Sequence, residues 1–97
     1  MTWLVQMLLP VVGRRKTYDA ITRQLTERFG GATAYTRSPA AGLWKTSSDR
    51  TERDDIIVVE VMVDAVDQKW WSAFRRRLEK RLRQKEIVVR AHEIRHL

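Results

Sequence analysis

The sequence contains no cysteine. Disulfide bonds, metal sites built on thiolates and a cysteine nucleophile are therefore all excluded. The absence also fits a reducing compartment, so we expect a cytoplasmic protein. Glycine is scarce as well, with four residues in the chain. The segment Gly13-Arg14-Arg15-Lys16 precedes a predicted helix and could attract an anion, but it lacks the glycine spacing of a P-loop or a dinucleotide-binding loop.

No hydrophobic run is long enough to cross a bilayer, which takes about 20 residues. The longest one, residues 2–9, is interrupted by Gln6 and ends at Pro10. No basic residues precede this run, so it lacks the pattern of a signal peptide. We interpret it as a buried strand of a soluble protein and expect no membrane partner.

Acidic residues are in the minority, with 12 against 19 basic residues and a formal net charge of +7. The excess is uneven, because residues 67–86 carry eight basic and three acidic side chains. The positive charge is therefore concentrated in one predicted helix rather than in a tail.

The chain of 97 residues has the length of one small domain, and 43% of it is hydrophobic. We predict a single domain over residues 1–97, without internal linkers. Apolar and β-branched runs predict four strands, at residues 2–9, 31–37, 54–64 and 86–94.

Two helices are expected between these strands. Thr17 is the predicted N-cap of the first, and Gly30 is its predicted C-terminal glycine. Asp67 begins the second. Each helix has an apolar stripe at helical spacing: Tyr18, Ile21, Leu25 and Phe29 in the first, and Trp70, Trp71, Phe74, Leu78 and Leu82 in the second.

The segment between the second and third strands contains Pro39 and Gly42. We predict a turn over residues 38–42 and an exposed polar loop over residues 46–53. Trp44 lies between them and is expected to cap an open end of the core or to contact a partner.

The order β-α-β-β-α-β is typical of the ferredoxin-like plait, an α+β fold. Right-handed crossovers predict an antiparallel sheet of order 4-1-3-2 with both helices on one face. The face opposite the helices, here called the open face, is expected to carry Ile56, Val58, Glu60 and Met62 from the third strand and Val88, Arg90, His92 and Ile94 from the fourth. Such an apolar face predicts an interface or a ligand site.

Polar residues on this face form the best candidate site. Gln6, Glu60, Arg90 and His92 are expected to converge there, with Tyr35 beside them. In an apolar setting Glu60 would have a raised pKa and act as a base, His92 would shuttle a proton, and Arg90 would hold an anion. The alternative is a homodimer interface in which Glu60 and Arg90 satisfy each other across two sheets, and this interpretation is favoured.

The basic second helix suggests an anion or nucleic-acid binder through Arg76, Lys80 and Arg83. An RNA-recognition motif shares the predicted fold, but it needs aromatic side chains on its central strands, and the third strand has none. A solvated basic face in which Glu79 pairs with Lys80 or Arg83 is the simpler interpretation. Nucleic acid is therefore a less favoured partner.

No cofactor or metal is expected. His92 and His96 are four residues apart in a strand, and a metal site would need a third ligand such as Glu60 in a stretched geometry. The chain has no Ser-His-Asp pattern, so the sequence leaves open whether the protein is an enzyme.

Two stretches, RFGGATAYTRSPAAGLW at residues 28–44 and RLRQKEIVVRA at residues 81–91, carry a resemblance. In these the chain resembles small bacterial proteins that contain a domain of unknown function, which implies a bacterial origin. The arrangement is also similar to dimeric α+β barrel proteins, which pack two open sheet faces together. That superfamily includes cofactor-independent monooxygenases and small isomerases, and its catalytic residues vary, so none is transferred.

We therefore expect a non-catalytic homodimer. The first alternative is a small cofactor-independent enzyme using Glu60 and His92. The second is a nucleic-acid or anion binder using the second helix.

Overall fold

The computed structural model describes the backbone of residues 1–45 and 51–97 and the side chains of residues 1–35 and 55–97. Its elements follow the order β1 (Thr2–Pro10), α1 (Arg15–Phe29), β2 (Thr33–Lys45), β3 (Thr51–Val63), α2 (Gln68–Arg81) and β4 (Val88–Ile94). The four strands form one antiparallel sheet of order β2-β3-β1-β4. The predicted ferredoxin-like plait is confirmed.

The core lies between the sheet and the two helices. Strand side chains alternate between faces, so every second residue of β1 and β3 is buried beneath the helices. These are Val5, Met7 and Leu9 in β1, and Ile57, Val59, Val61 and Val63 in β3. The helical stripes pack on them through Tyr18, Ile21 and Leu25 of α1 and Trp71, Phe74 and Leu78 of α2. Each such side chain contributes about 1.5–3 kcal/mol when fully buried.

Four aromatic rings join the end of α1 to the start of α2. Phe29 stacks on Trp71 with ring centroids 5.2 Å apart and meets Trp70 edge-on at 5.1 Å. Trp70 in turn stacks on Phe74 at 5.0 Å. The Arg28 guanidinium lies 4.3 Å from the Trp70 ring centroid, a cation–π geometry. Both tryptophans lie on the apolar stripe predicted for the second helix; Trp71 is buried in the core, and Trp70 is partly buried against it.

The prediction that Thr17 caps α1 is wrong. The N-cap is Arg14, and Thr17 already donates its backbone N–H to the Arg14 carbonyl at 2.9 Å. Loop amides are satisfied instead by the buried Tyr18 hydroxyl, which accepts from Val12 N–H at 3.0 Å and donates to the Pro10 carbonyl. The Tyr18 hydroxyl thus holds the loop before the helix, and the start of α1 has no side-chain cap hydrogen bond.

The start of α2 follows the prediction. The Asp67 side chain accepts a hydrogen bond from the Trp70 backbone N–H at 3.1 Å, the geometry of an N-cap. The helix ends at Arg81, and Arg83 has a positive φ of 54°. Arg83 therefore lies in the turn after the helix rather than on its basic face.

Glu79 does not pair with Lys80 or Arg83 as expected. Its carboxylate lies 3.6 Å from Arg75 Nη1, one helical turn back, and accepts the Ile87 backbone N–H at 2.8 Å. Glu79 thus links α2 to the segment that leads into β4. β4 begins at Val88, two residues later than predicted.

The β2–β3 hairpin is longer than the sequence indicated. The backbone of β2 continues through the predicted turn at residues 38–42, and its pairing shifts register between Tyr35 and Ala40. Pro39, which has no N–H to donate, lies within this irregular stretch of the edge strand. Thr51 pairs with Lys45, so residues 51–53 of the predicted loop belong to β3. Residues 46–50 and the Trp44 side chain lie outside the described part of the chain.

Gly30 and Gly31 offer a matched test of the helix end. Gly30 has φ of 87°, whereas Gly31 has no positive φ, and a Cβ at either position would meet nothing within 4 Å. We expect Gly30→Ala to lower the free energy of unfolding by about 1 kcal/mol, because only its backbone conformation penalises a side chain. Gly31→Ala should change it by less than about 0.5 kcal/mol. Urea unfolding compares the two, and equal losses would contradict this account.

Candidate functional site

The register of the sheet decides which side chains meet on the open face. Gln6 of β1 pairs with Glu60 of β3 on one side and with Arg90 of β4 on the other. Tyr35 of β2 pairs with Val58, which places its ring diagonally from Glu60. Four polar side chains from four strands therefore form one row, here called the polar row: Arg90, Gln6, Glu60 and Tyr35.

Hydrogen bonds connect the polar row from end to end. Arg90 Nε donates to Gln6 Oε1 at 3.1 Å, and Gln6 Nε2 donates to Glu60 Oε2 at 2.6 Å. The Tyr35 hydroxyl donates to the other carboxylate oxygen, Glu60 Oε1, at 2.6 Å. Both oxygens of Glu60 are thus engaged, and the Gln6 amide relays between a guanidinium and a carboxylate.

Apolar side chains flank the polar row on both sides. Leu4 pairs with Met62 on one side, and Leu8 pairs with Val58 and Val88 on the other. Met62 is 52% exposed, Tyr35 50% and Val88 44%. The open face is consequently a band of charge and hydrogen bonds crossing a partly exposed hydrophobic surface.

The expected rise in the pKa of Glu60 is wrong. The hydrogen bond from Tyr35, followed by the one from Gln6, lowers the pKa of Glu60 below its ordinary value of 4.5 and outweighs the opposing effect of desolvation. The His92 charge lowers this pKa further. The same hydrogen bond and the Glu60 charge raise the pKa of Tyr35. Both donors favour the charged carboxylate, so Glu60 is a fixed negative charge rather than a proton acceptor near neutral pH.

His92 lies on the same face, two residues beyond Arg90 and opposite Leu4. Its side chain is exposed and acts on Glu60 through its charge. The sequence predicted that His92 would exchange a proton with Glu60. In the structure, the residues that hydrogen-bond to Glu60 are Gln6 and Tyr35. The polar row therefore holds the Glu60 carboxylate and the Arg90 guanidinium in fixed positions on the open face.

Arg76, Lys80 and Arg83 lie away from the polar row. Arg76 and Lys80 are exposed on α2, which covers the opposite face of the sheet, and Arg83 is exposed in the turn that follows. They form no cluster with Glu60 or His92, so the sequence-predicted residues divide into two separate surfaces.

The helices carry the whole net charge of the chain. α1 contains four basic and two acidic residues, and α2 contains six basic and one acidic. These two segments therefore account for the full formal charge of +7, and the strands and loops together are neutral. The contribution of α1 went unnoticed at the sequence level, although counting charges by predicted element would have shown it.

Two grooves open on the helix side of the sheet, with volumes of about 460 and 240 Å³. Glu60 lines neither of them. The smaller groove is lined by Trp71, whose buried Nε1–H has no hydrogen-bond acceptor among the residues described. Sequence reasoning missed this feature, since it placed Trp71 in the core without asking where its N–H would bond. Among the side chains that the structure describes, no three His, Asp or Glu residues are grouped as metal ligands.

Comparison with known structures shows the fold. The chain is similar to a divalent cation tolerance protein (CutA1) from Thermus thermophilus, with a TM-score of 0.68 and 11% identity over 99% of this chain and 86% of that one. It is also similar to a phage SAM lyase in complex with S-methyl-5′-thioadenosine, with a TM-score of 0.63 and 11% identity over 95% of this chain and 81% of that one. At this identity the likeness extends to the ferredoxin-like architecture alone.

No protein-family model and no curated protein matches the sequence. The resemblance to small bacterial proteins therefore stays a prediction. Neither helix in the described part of the chain has the length and apolar character needed to cross a membrane.

The lowered pKa of Glu60 predicts how stability depends on pH. Its contribution is complete above the unfolded-state pKa and is lost as pH falls through the lower folded-state pKa. We therefore expect the stability advantage of the wild type over Glu60→Gln to be largest near pH 7 and to shrink below about pH 4.5. Urea unfolding between pH 7 and pH 3 measures it.

Two further variants test the cause. Tyr35→Phe should raise the pKa of Glu60, followed by NMR titration of its carboxyl carbon, because the strongest stabilising donor is lost. Glu86→Gln, at an exposed position in the turn before β4, is the matched control. If Glu86→Gln altered the pH dependence of stability as much as Glu60→Gln does, the polar row would not be the source of that dependence.

Proposed function

We propose that this protein is a non-catalytic α+β domain that works as a homodimer joined through its open face. The supporting observation is the exposed apolar surface around the polar row, where Met62, Tyr35 and Val88 are each about half exposed. Apolar patches of this kind on a small domain usually mark an interaction site. A domain of 97 residues also gains stability from burying surface against a partner.

The partner we propose is a second copy, because the polar row is self-complementary in charge. Arg90 stands at the β4 end and Glu60 on the β3 side, with Gln6 between them. A two-fold axis near Gln6 would bring Arg90 of each copy towards Glu60 of the other. Among the described carboxylates none lies within 4 Å of Arg90 in the single chain, so the second copy would supply its counter-charge.

The hydrogen bonding and the lowered pKa of Glu60 favour the dimer over an enzyme that uses Glu60 as a general base. A general base needs an accessible lone pair and a pKa near the working pH. Both oxygens of Glu60 accept hydrogen bonds, and its pKa is lowered. The same features suit an interface, where a charged group must keep its hydrogen bonds when water leaves.

Mixing two charge variants tests the dimer. Glu60→Arg alone places two cations opposite each other across the proposed axis, and Arg90→Glu alone places two anions there. Each homodimer should dissociate, whereas an equimolar mixture should form a heterodimer with both cross-axis pairs restored. Native mass spectrometry separates the three species, since the two variants differ in mass.

The control is the pair Glu93→Arg and Arg95→Glu, which makes the same charge changes at two exposed positions near the end of the chain. These variants should dimerise as the wild type does. A monomeric wild type would refute the proposal, and so would a mixture showing no preference for the heterodimer.

A second candidate function is polyanion binding by the helix layer, here meaning α1 and α2. It is favoured by the segregation of all the net charge onto these two helices. No large hydrophobic residue of either helix is exposed in the described structure, so the layer lacks the apolar face with which helices insert into membranes. An arginine-rich polar surface suits phosphate backbones, and nucleic acid is the proposed ligand.

Salt dependence tests this candidate. Affinity for a short DNA duplex should fall linearly with salt on logarithmic axes, by about 0.9 in slope per phosphate contact. Arg76→Glu or Lys80→Glu should weaken binding and flatten that slope. Arg95→Glu makes the same change in net charge outside the helix layer and should have a smaller effect. Fluorescence anisotropy measures all four proteins, and equal losses would show non-specific attraction without a defined surface.

A further inference from the structure

The groove of about 240 Å³ lies between the start of α2 and β4 and is here called the α2–β4 groove. Its helix wall is formed by Gln68, Trp71, Ser72 and Arg75, and its sheet wall includes Val89 and Ala91. These strand residues point towards the helices, so the groove lies on the opposite side of the sheet from the polar row. It would stay accessible in a dimer formed through the open face.

The indole N–H of Trp71 is the feature of the groove that points to a ligand. It lines the groove, is 5% exposed, and its indole ring is fixed by stacking on Phe29. Its Nε1–H is buried without an acceptor among the described residues. A buried indole N–H normally finds a partner, because it has given up its hydrogen bond to water. A ligand that bonds this N–H must therefore offer a hydrogen-bond acceptor.

The other polar side chains of the groove can also donate hydrogen bonds, and the Gln68 amide and Ser72 hydroxyl can accept them as well. Gln68, Ser72 and Arg75 line it, and no carboxylate does. One nitrogen of Arg75, Nη1, lies 3.6 Å from Glu79, while the side chain keeps 36% of its surface exposed. A guanidinium has five N–H donors, so this single contact leaves Arg75 able to hold a second anion.

Two nearby charged residues, Arg90 and Asp67, have side chains that bond to other groups. Arg90 contributes to the groove, but its side chain bonds Gln6 on the other side of the sheet, so only its backbone faces this way. Asp67 precedes the helix wall, and its carboxylate accepts from the Trp70 backbone N–H. The charge that the groove offers to a ligand is therefore that of Arg75.

The remaining surface of the groove is apolar. Val5, Val66, Val89 and Ala91 complete its lining, and Val89 and Ala91 belong to β4. The volume is below the roughly 300–1,000 Å³ typical of sites for drug-sized molecules. A single cation, a buried N–H and an apolar wall suit a small anion that has a hydrophobic body.

We infer that the α2–β4 groove binds a small organic carboxylate, with the carboxylate between Trp71 Nε1–H and the Arg75 guanidinium and the apolar body against β4. The inference does not depend on self-association or on polyanion binding. The side of the sheet and the residues that it uses are different from those of the proposed dimer.

Titration with benzoate, followed by proton–nitrogen NMR, tests the site. The four tryptophans give four indole N–H signals, and that of Trp71 is the signal that disappears in the Trp71→Phe variant. We expect this signal to move downfield and saturate, with a dissociation constant on the order of millimolar for so small a probe. Benzyl alcohol, which has the ring without the charge, should bind at least about tenfold more weakly.

Neighbouring arginines supply the matched variants. Arg75→Gln should weaken benzoate binding about tenfold or more, because it removes the charged donor. Arg76→Gln, the same change at the next and exposed position of α2, should leave the affinity within about twofold of the wild type. Trp71→Phe keeps a ring in place but removes the N–H, and it should also weaken binding.

Several outcomes would overturn the inference. One is a Trp71 signal that stays fixed up to saturating benzoate, whether or not other signals move. Another is an equal loss of affinity in the Arg75 and Arg76 variants, which would mean general attraction to the basic helix. Tighter binding of inorganic phosphate than of benzoate at the same groove would refute the assignment to an organic carboxylate.

Discussion

The antiparallel register between β1 and β3 is the constraint on which the rest of the molecule depends. It sets Val5 opposite Val61 beneath the helices and Gln6 opposite Glu60 on the open face. A slip of one residue would bury Gln6 and expose the valines, so hydrophobic burial holds the register strongly. β4 adds Arg90 to the same row through its own pairing with Gln6. The polar row is thus a consequence of how the core is packed.

The two faces of the domain differ in electrostatic character: the helix face is strongly positive, and the open face is balanced. The helix layer bears the entire net charge, while the open face balances Arg90 against Glu60 across a relaying amide. Two copies joined through their open faces would place both basic layers outward, where like charges are farthest apart and solvated. Self-association and polyanion binding, as proposed, are therefore compatible in one assembly. The α2–β4 groove would remain open in it.

Periodicity predicted most of the architecture correctly, because the apolar residues of β1, β3 and α2 are numerous and regular. Its errors fall where the backbone conformation, rather than the residue type, decides where an element begins or ends. Thr17 does not cap α1, because the helix begins two residues earlier, at Arg15, and Thr17 N–H already bonds the Arg14 carbonyl. Pro39 does not end β2, because an edge strand tolerates a residue without an N–H where its pairing is irregular. For the candidate site, the residues of the open face were predictable but their bonding and the sign of the Glu60 pKa shift were not.

The amino-acid sequence by itself determined the class of fold, the face to which the described residues of β1, β3 and β4 point and the concentration of positive charge in the second helix. These properties follow from alternation, helical spacing and composition, which are local. Only the tertiary structure decided that Glu60 is held ionised by Tyr35 and Gln6, and that Trp71 is buried with its N–H unpaired among the described residues. A pKa and an unsatisfied donor depend on which atoms lie within about 3 Å, and that distance is set by strands and helices far apart in the chain.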